Sequence, residues 1–217
     1  MARGLKPMPF NMMRSRVAKS CVAISILFLA TSFSGLAKAD DCGTYPAEVH
    51  NLVYGGFSDC TLQQAGEKPL WHGLTQSGVL QQIRFTFTEG HSFYTKVINF
   101  DEQADGSGTI RLRTIRHDPV KGLIVSSQKS RRVTSDEVAK IDSLGLSSGT
   151  WEHAIGTWDE NEVFLHCETL DMERVTHEGY RFASVNISCN QPEKLMPFVQ
   201  FITGLVDLKP FADRQMY

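Results

Sequence analysis

The sequence predicts an α+β fold: an antiparallel sheet of about six strands, one mid-chain helix, and a C-terminal amphipathic helix packed on the sheet. Three observations predict it. From residue 80 onward, runs of alternating apolar and polar residues are joined by short turn segments, which favours hairpins over βαβ crossovers. Thr134 followed by Glu137 forms a capping box that opens a helix between two such runs. Near the C-terminus, Leu195, Phe198, Val199, Ile202, Leu205 and Val206 recur at helical spacing.

Before the first strand, residues 1–39 stand apart in composition. They carry Arg3, Lys6, Arg14, Arg16, Lys19 and Lys38 with no Asp or Glu, an apolar run over 21–33, and a closing Ala37-Lys38-Ala39. A basic region, an apolar run and an A-x-A site together describe a secretory signal peptide with cleavage near Ala39. The apolar run is shorter than the ~20 residues that a membrane span needs. Neither Lys19-Ser20 before Cys21 nor Asp40-Asp41 before Cys42 suits lipid attachment. The expectation is therefore a free exported protein, periplasmic or extracellular, with no integral span in the mature chain.

Residues 40–217 then form a single disulfide-containing domain. They hold 16 Lys or Arg against 24 Asp or Glu, a formal net charge of −8 where the whole chain shows −2. Four cysteines remain: Cys42, Cys60, Cys167 and Cys189. An even count in an oxidising compartment reads as two disulfides. Three pairings are possible, and proximity favours Cys42 with Cys60 and Cys167 with Cys189. A site binding one metal through all four lacks any C-x-x-C pair.

The elements follow in order. Residues 46–54 suit a short helix. Over 80–88, Ile83, Phe85 and Phe87 alternate with Arg84, Thr86 and Thr88, the period of a half-buried strand. Further strands are expected over 92–100, 109–116 and 122–133, with turns at Asp105-Gly106-Ser107-Gly108 and Asp118-Pro119. The capped helix places Val138, Ile141 and Leu144 on one face and ends near Gly145, a plausible C-cap. Two more strands are expected over 162–170 and 179–188. Pro192 leads into the closing helix, and Pro197 is compatible with it only inside the first turn.

In the strand holding Ile83-Arg84-Phe85, the strand Phe164-Leu165-His166-Cys167-Glu168, the aromatic strand opening Gly179-Tyr180, and Pro192 before the closing helix, the chain resembles secreted bacterial α+β proteins of no assigned activity. The resemblance covers about two-thirds of the mature chain and implies no catalytic or binding residue and no cofactor.

Several motifs bear on chemistry. Gly145-Leu146-Ser147-Ser148-Gly149 matches the G-x-S-x-G string, but that string works where a strand turns into a helix, and here it follows a helix. His166 and Glu168 fall on one face of an expected strand, and with His177 across a hairpin they could offer three metal ligands. No H-E-x-x-H spacing supports that set. Asp101-Glu102-Gln103-Ala104-Asp105-Gly106 starts like a calcium loop, yet the twelfth position is Leu112 where a bidentate Glu is required.

Charge is segregated more sharply than composition implies. Over 109–133 stand Arg111, Arg113, Arg116, Lys121, Lys129, Arg131 and Arg132 against Asp118 alone, whereas 152–178 is strongly acidic. A surface of Arg111, Arg113, Lys129, Arg131 and Arg132 could steer an anionic envelope component or a protein partner. Alternatively the basic and acidic strands neutralise one another internally. Nucleic acid is not expected for an exported chain of net −8. The function expected is a non-enzymatic binding domain, with no cofactor. The alternatives are a small exported hydrolase, using a metal at His166, Glu168 and His177 or Ser147 as nucleophile, and a carrier of a hydrophobic ligand between sheet and closing helix.

Overall fold

The computed structural model describes residues 42–50, 52, 57–89, 94–118, 121–158 and 167–209. The expected signal peptide and residues 162–166, including His166, lie outside the described residues. The described chain is α+β: seven strands in one mixed sheet, with four helices.

The strands are β1 (Val79–Glu89), β2 (Tyr94–Gln103), β3 (Gly108–Asp118), β4 (Gly122–Val133), β5 (Ile155–Thr157), β6 (Glu168–Thr176) and β7 (Gly179–Val185). They lie in the order β4-β3-β2-β1-β6-β7-β5. β1 to β4 form a continuous antiparallel meander, as the alternating runs and short turns dictate. β1 then pairs on its other side with β6, Gln81 opposite Thr176 and Glu89 opposite Glu168.

One expectation about the sheet is corrected here. The sheet is not wholly antiparallel, because β5 joins β7 in parallel, Ile155 opposite Phe182. Three residues with no alternation carry no signal of a strand; β5 is held instead by a neighbour that is already in place, with the Phe182 N–H donating to Ala154 O and the Trp158 N–H to Ser184 O. Of the expected strand over 162–170, residues 162–166 lie outside the described residues and 168–170 open β6, which runs on to Thr176.

The helices are α1 (Ala47–His50), α2 (Phe57–Gln64), α3 (Ser135–Ser147) and α4 (Met196–Gly204). α3 opens on the expected capping box: the Glu137 N–H donates to Thr134 Oγ1, and the Thr134 N–H donates back to the Glu137 carboxylate. Gly145 is not its C-cap. The helix continues to Ser147 with Ser148 as cap, and Gly145 is where α3 approaches α4, since a Cβ there would meet Trp151 Nε1 at 2.9 Å and the Phe198 ring at 3.3 Å. Pro197 sits in the first turn of α4, where its missing N–H costs nothing.

Side-chain parity divides the sheet into two faces. Ile83, Phe85 and Phe87 of β1, with Ile98, Phe100, Ile110, Leu170 and Met172, meet Val138 and Ile141 of α3 and Phe198, Val199 and Ile202 of α4 in the main core. Phe85 and Phe198 pack edge to face at 5.3 Å. The other face is covered by residues 42–50 and 57–70, through a smaller cluster of Tyr45, Val49 and Leu62 against Val97, Ile115 and Phe182. The covering segment is cross-linked within itself by Cys42–Cys60, while Cys167–Cys189 ties the start of β6 to the turn after β7. Both bonds are the pairings favoured by proximity, and they fit an oxidising, exported environment. No helix among the described residues is long and apolar enough to cross a membrane.

Candidate functional site

Beside that apolar cluster, much of the face beneath the covering segment is polar and buried. Across the sheet, Arg111, Asn99, Arg84, Glu173 and Phe182 stand opposite one another in one row. Arg84, 2% exposed, donates from Nε to Asn99 Oδ1 at 3.1 Å, from NH1 to Glu173 at 3.1 Å and from NH2 to Lys68 O at 2.6 Å. Glu67, from the covering segment, accepts from Asn99 and from Arg113. Tyr45 donates to Asp171 at 3.3 Å, and Tyr180 donates to Glu173 at 3.1 Å.

Burial pushes the Glu173 carboxyl up to about 7, more than Arg84 and the Tyr180 hydroxyl can lower it. Burial also raises Tyr45 and Tyr180, each reinforced by the nearby Glu173. Burial alone would lower Arg84, but Glu173 and Glu67 outweigh it, so the guanidinium stays charged. This network latches the covering segment to the sheet.

The five basic residues expected to form one surface separate. Arg111 and Arg113 lie on the covered face, Arg111 paired with Asp101 at 2.6 Å and Arg113 with Glu67 and Ala65 O. Opposition across the β3–β4 pair puts Lys129 and Arg131 on the helix side and Arg132 on the other. Arg131 donates to Glu137 at 2.7 Å and to Leu205 O at 2.8 Å, bridging the start of α3 and the end of α4. The Arg131 hydrogen bond also holds Glu137 below the usual carboxylate range. Arg132, 77% exposed, reaches Asp105 at 3.7 Å and Ser107 at 3.3 Å. β4 is an edge strand with an irregularity near Ser126, and charges on such a strand discourage pairing with another chain.

The remaining motifs find plain places. Glu168 begins β6 and His177 follows its end, so roughly 30 Å of extended strand separates them and they cannot share a metal ion. No group of three or more His, Cys, Asp or Glu poised to hold a metal occurs among the described residues. Asp105 closes the β2–β3 hairpin by accepting from the Ser107 N–H and hydroxyl. The interval between sheet and α4, where a hydrophobic ligand was the alternative, is filled by Phe85, Phe100, Phe198 and Ile202, all wholly buried.

An open cleft of about 620 Å³ lies elsewhere, between the last turn of α3, β5, β7 and the chain around Asn190. Ser147, Ser148, Thr150 and Thr157 give its wall hydroxyls. Ser147 donates to Leu144 O, the habit of a serine in a helix, whereas Ser148 and Thr150 bond each other at 2.6 Å. Glu152, His153 and Lys194 stand at the cleft, and all three are exposed. Among the described residues none of these three side chains is engaged in a hydrogen bond or ion pair. Trp158 is half-buried, packing on the main core while lining the cleft. Asn190 donates from Nδ2 to Trp158 O at 3.3 Å, joining the two sides.

Sequence reasoning missed this cleft. Its residues come from six separate stretches, and the only signal was the Gly145–Gly149 string, read for a nucleophile rather than as one wall of a pocket. Its volume falls within the range of small-ligand sites. No known protein family matches the sequence, and no curated protein is detectably similar to it.

Proposed function

We propose that the mature chain is a non-enzymatic binding domain, exported and released by cleavage near Ala39, that holds an envelope component or a protein partner. One observation carries this reading: the 620 Å³ cleft, with charged heads of both signs uncommitted among the described residues and an aromatic wall backed by the core. Arg111, Arg113 and Arg131 serve the fold, so the partner surface read from charge narrows to Lys129 and Arg132. Those two remain a proposed contact for an anionic partner, separate from the cleft.

A Ser147-dependent hydrolase is the second reading, favoured because Ser147 and His153 line the same cleft. Against it stands the Ser147 hydroxyl, committed to the carbonyl of its own helix. Two measurements test the pair. A fluorophosphonate probe is expected to leave Ser147 unlabelled; labelling abolished by His153→Ala would establish the hydrolase instead. Mature protein immobilised against envelope extract is expected to retain a component that Lys194→Glu loses and the double variant Lys129→Ala/Arg132→Ala keeps. Loss in the double variant alone would move binding to β4.

A further inference from the structure

We infer that the cleft takes an uncharged, hydroxyl-rich ligand, a short saccharide, with Trp158 as the platform beneath a sugar ring. The inference rests on the binding-domain reading and names the ligand class of that same site.

The chemistry of the wall excludes the other classes one at a time. Glu152 is an acceptor only and opposes phosphate or carboxylate; Lys194 is a donor only and opposes a cation. The two formal charges cancel, so the cleft exerts little net pull on an ion. An apolar ligand would strip water from Glu152, His153 and Lys194 without replacing their hydrogen bonds, a costly exchange. Sugar hydroxyls donate and accept, which matches an acceptor-only head, a donor-only head and an imidazole able to do either. A zwitterion could answer the two charges but would make no use of the aromatic wall. Trp158 supplies that wall: it is half-buried, packs on the main core and lines the cleft, so part of its freedom is already lost before a ligand arrives.

Tryptophan fluorescence and saturation-transfer NMR on the mature protein test this, with maltotriose and N,N′,N″-triacetylchitotriose as probes and inorganic phosphate and glycylglycine as comparisons. At least one trisaccharide is expected to saturate with Kd below about 1 mM, and neither comparison to do so. Trp158→Ala is expected to weaken binding roughly tenfold, with Trp158→Phe recovering most of it. Should Trp158→Ala fail to fold, Glu152→Gln at an exposed position carries the test, with a several-fold loss. Saturable binding of phosphate or glycylglycine in place of sugar overturns the inference, as does sugar binding that Trp158→Ala and Glu152→Gln both leave unchanged. A fragment library separates the two levels. Fragments that shift cleft resonances while both trisaccharides fail would remove the saccharide and keep the binding domain; a cleft that no fragment occupies would remove both.

Discussion

The two faces of the sheet solve the same problem with different chemistry. Under α3 and α4, alternate positions are Ile, Leu, Phe and Met, interlocked with Phe198, Val199 and Ile202. Under the covering segment, the intervening positions are Arg84, Thr86, Asn99, Asp101, Asp171 and Glu173, all buried, with only a small apolar cluster beside them. The first face is held by area removed from water, which any well-shaped apolar side chain supplies. The second is held by directional partners, where each group depends on a particular other one. The helix layer should therefore respond to lost volume, whereas the covering layer should respond to lost pairing.

The largest effect is expected where volume is lost. Phe85→Ala removes a wholly buried ring and its contact with Phe198, and should cost about 4 kcal/mol in chemical denaturation. A loss under about 1 kcal/mol would mean that this core is less closely packed than its burial implies.

Next comes the pairing. Arg84→Met leaves Glu173 and Glu67 without their shared cation and should cost about 3 kcal/mol. Adding Glu173→Leu should restore more than half of it, because an apolar pair needs no compensation. If the double variant were as unstable as the single one, the row would be held by shape rather than by charge.

The third effect is the pH dependence of the covered face. The folded Glu173 carboxyl titrates near 7 against an ordinary 4.5, so between these values the folded state holds a proton that the unfolded chain has released. Its contribution is fully present below about 4.5 and is lost as pH rises through 7. Denaturation midpoints should fall across that window by up to about 3 kcal/mol of stability. In Glu173→Gln that fall should disappear, and its persistence would place the titration on another group.

How much of this was legible in the sequence follows from the same contrast. Period-2 alternation at Ile83, Phe85 and Phe87 identified β1 and its core face, and the capping box located α3, because each signal is local. The alternation also implied that Arg84, Thr86 and Thr88 face water. That step fails because burial of the second face depends on a segment ending some way before β1 and on the pairing of β1 with β6. Arg84 reads as solvated until Glu173 is known to stand opposite it. The segregated charge was visible, but only the register showed that Arg111 and Arg113 meet acids from β2 and the covering segment. Of the cleft, the α3 wall could be read as a short Gly/Ser stretch. β5 could not, since it is placed by β7 rather than by its own residues.

The pairing of β1 with β6 has a consequence for how the molecule is made. β1 to β4 are neighbours along the chain and can assemble as local hairpins, whereas β6 arrives only after β4, α3 and β5 have been produced. Closing that long loop is slow relative to forming hairpins. In a chain delivered from its N-terminus, β1 waits with one edge open and Phe85 and Phe87 uncovered until residues 168–176 and α4 appear. The finished protein guards β4, its visible border, with charge and an irregular register; the strand at greatest risk during synthesis is the one that ends up at the centre.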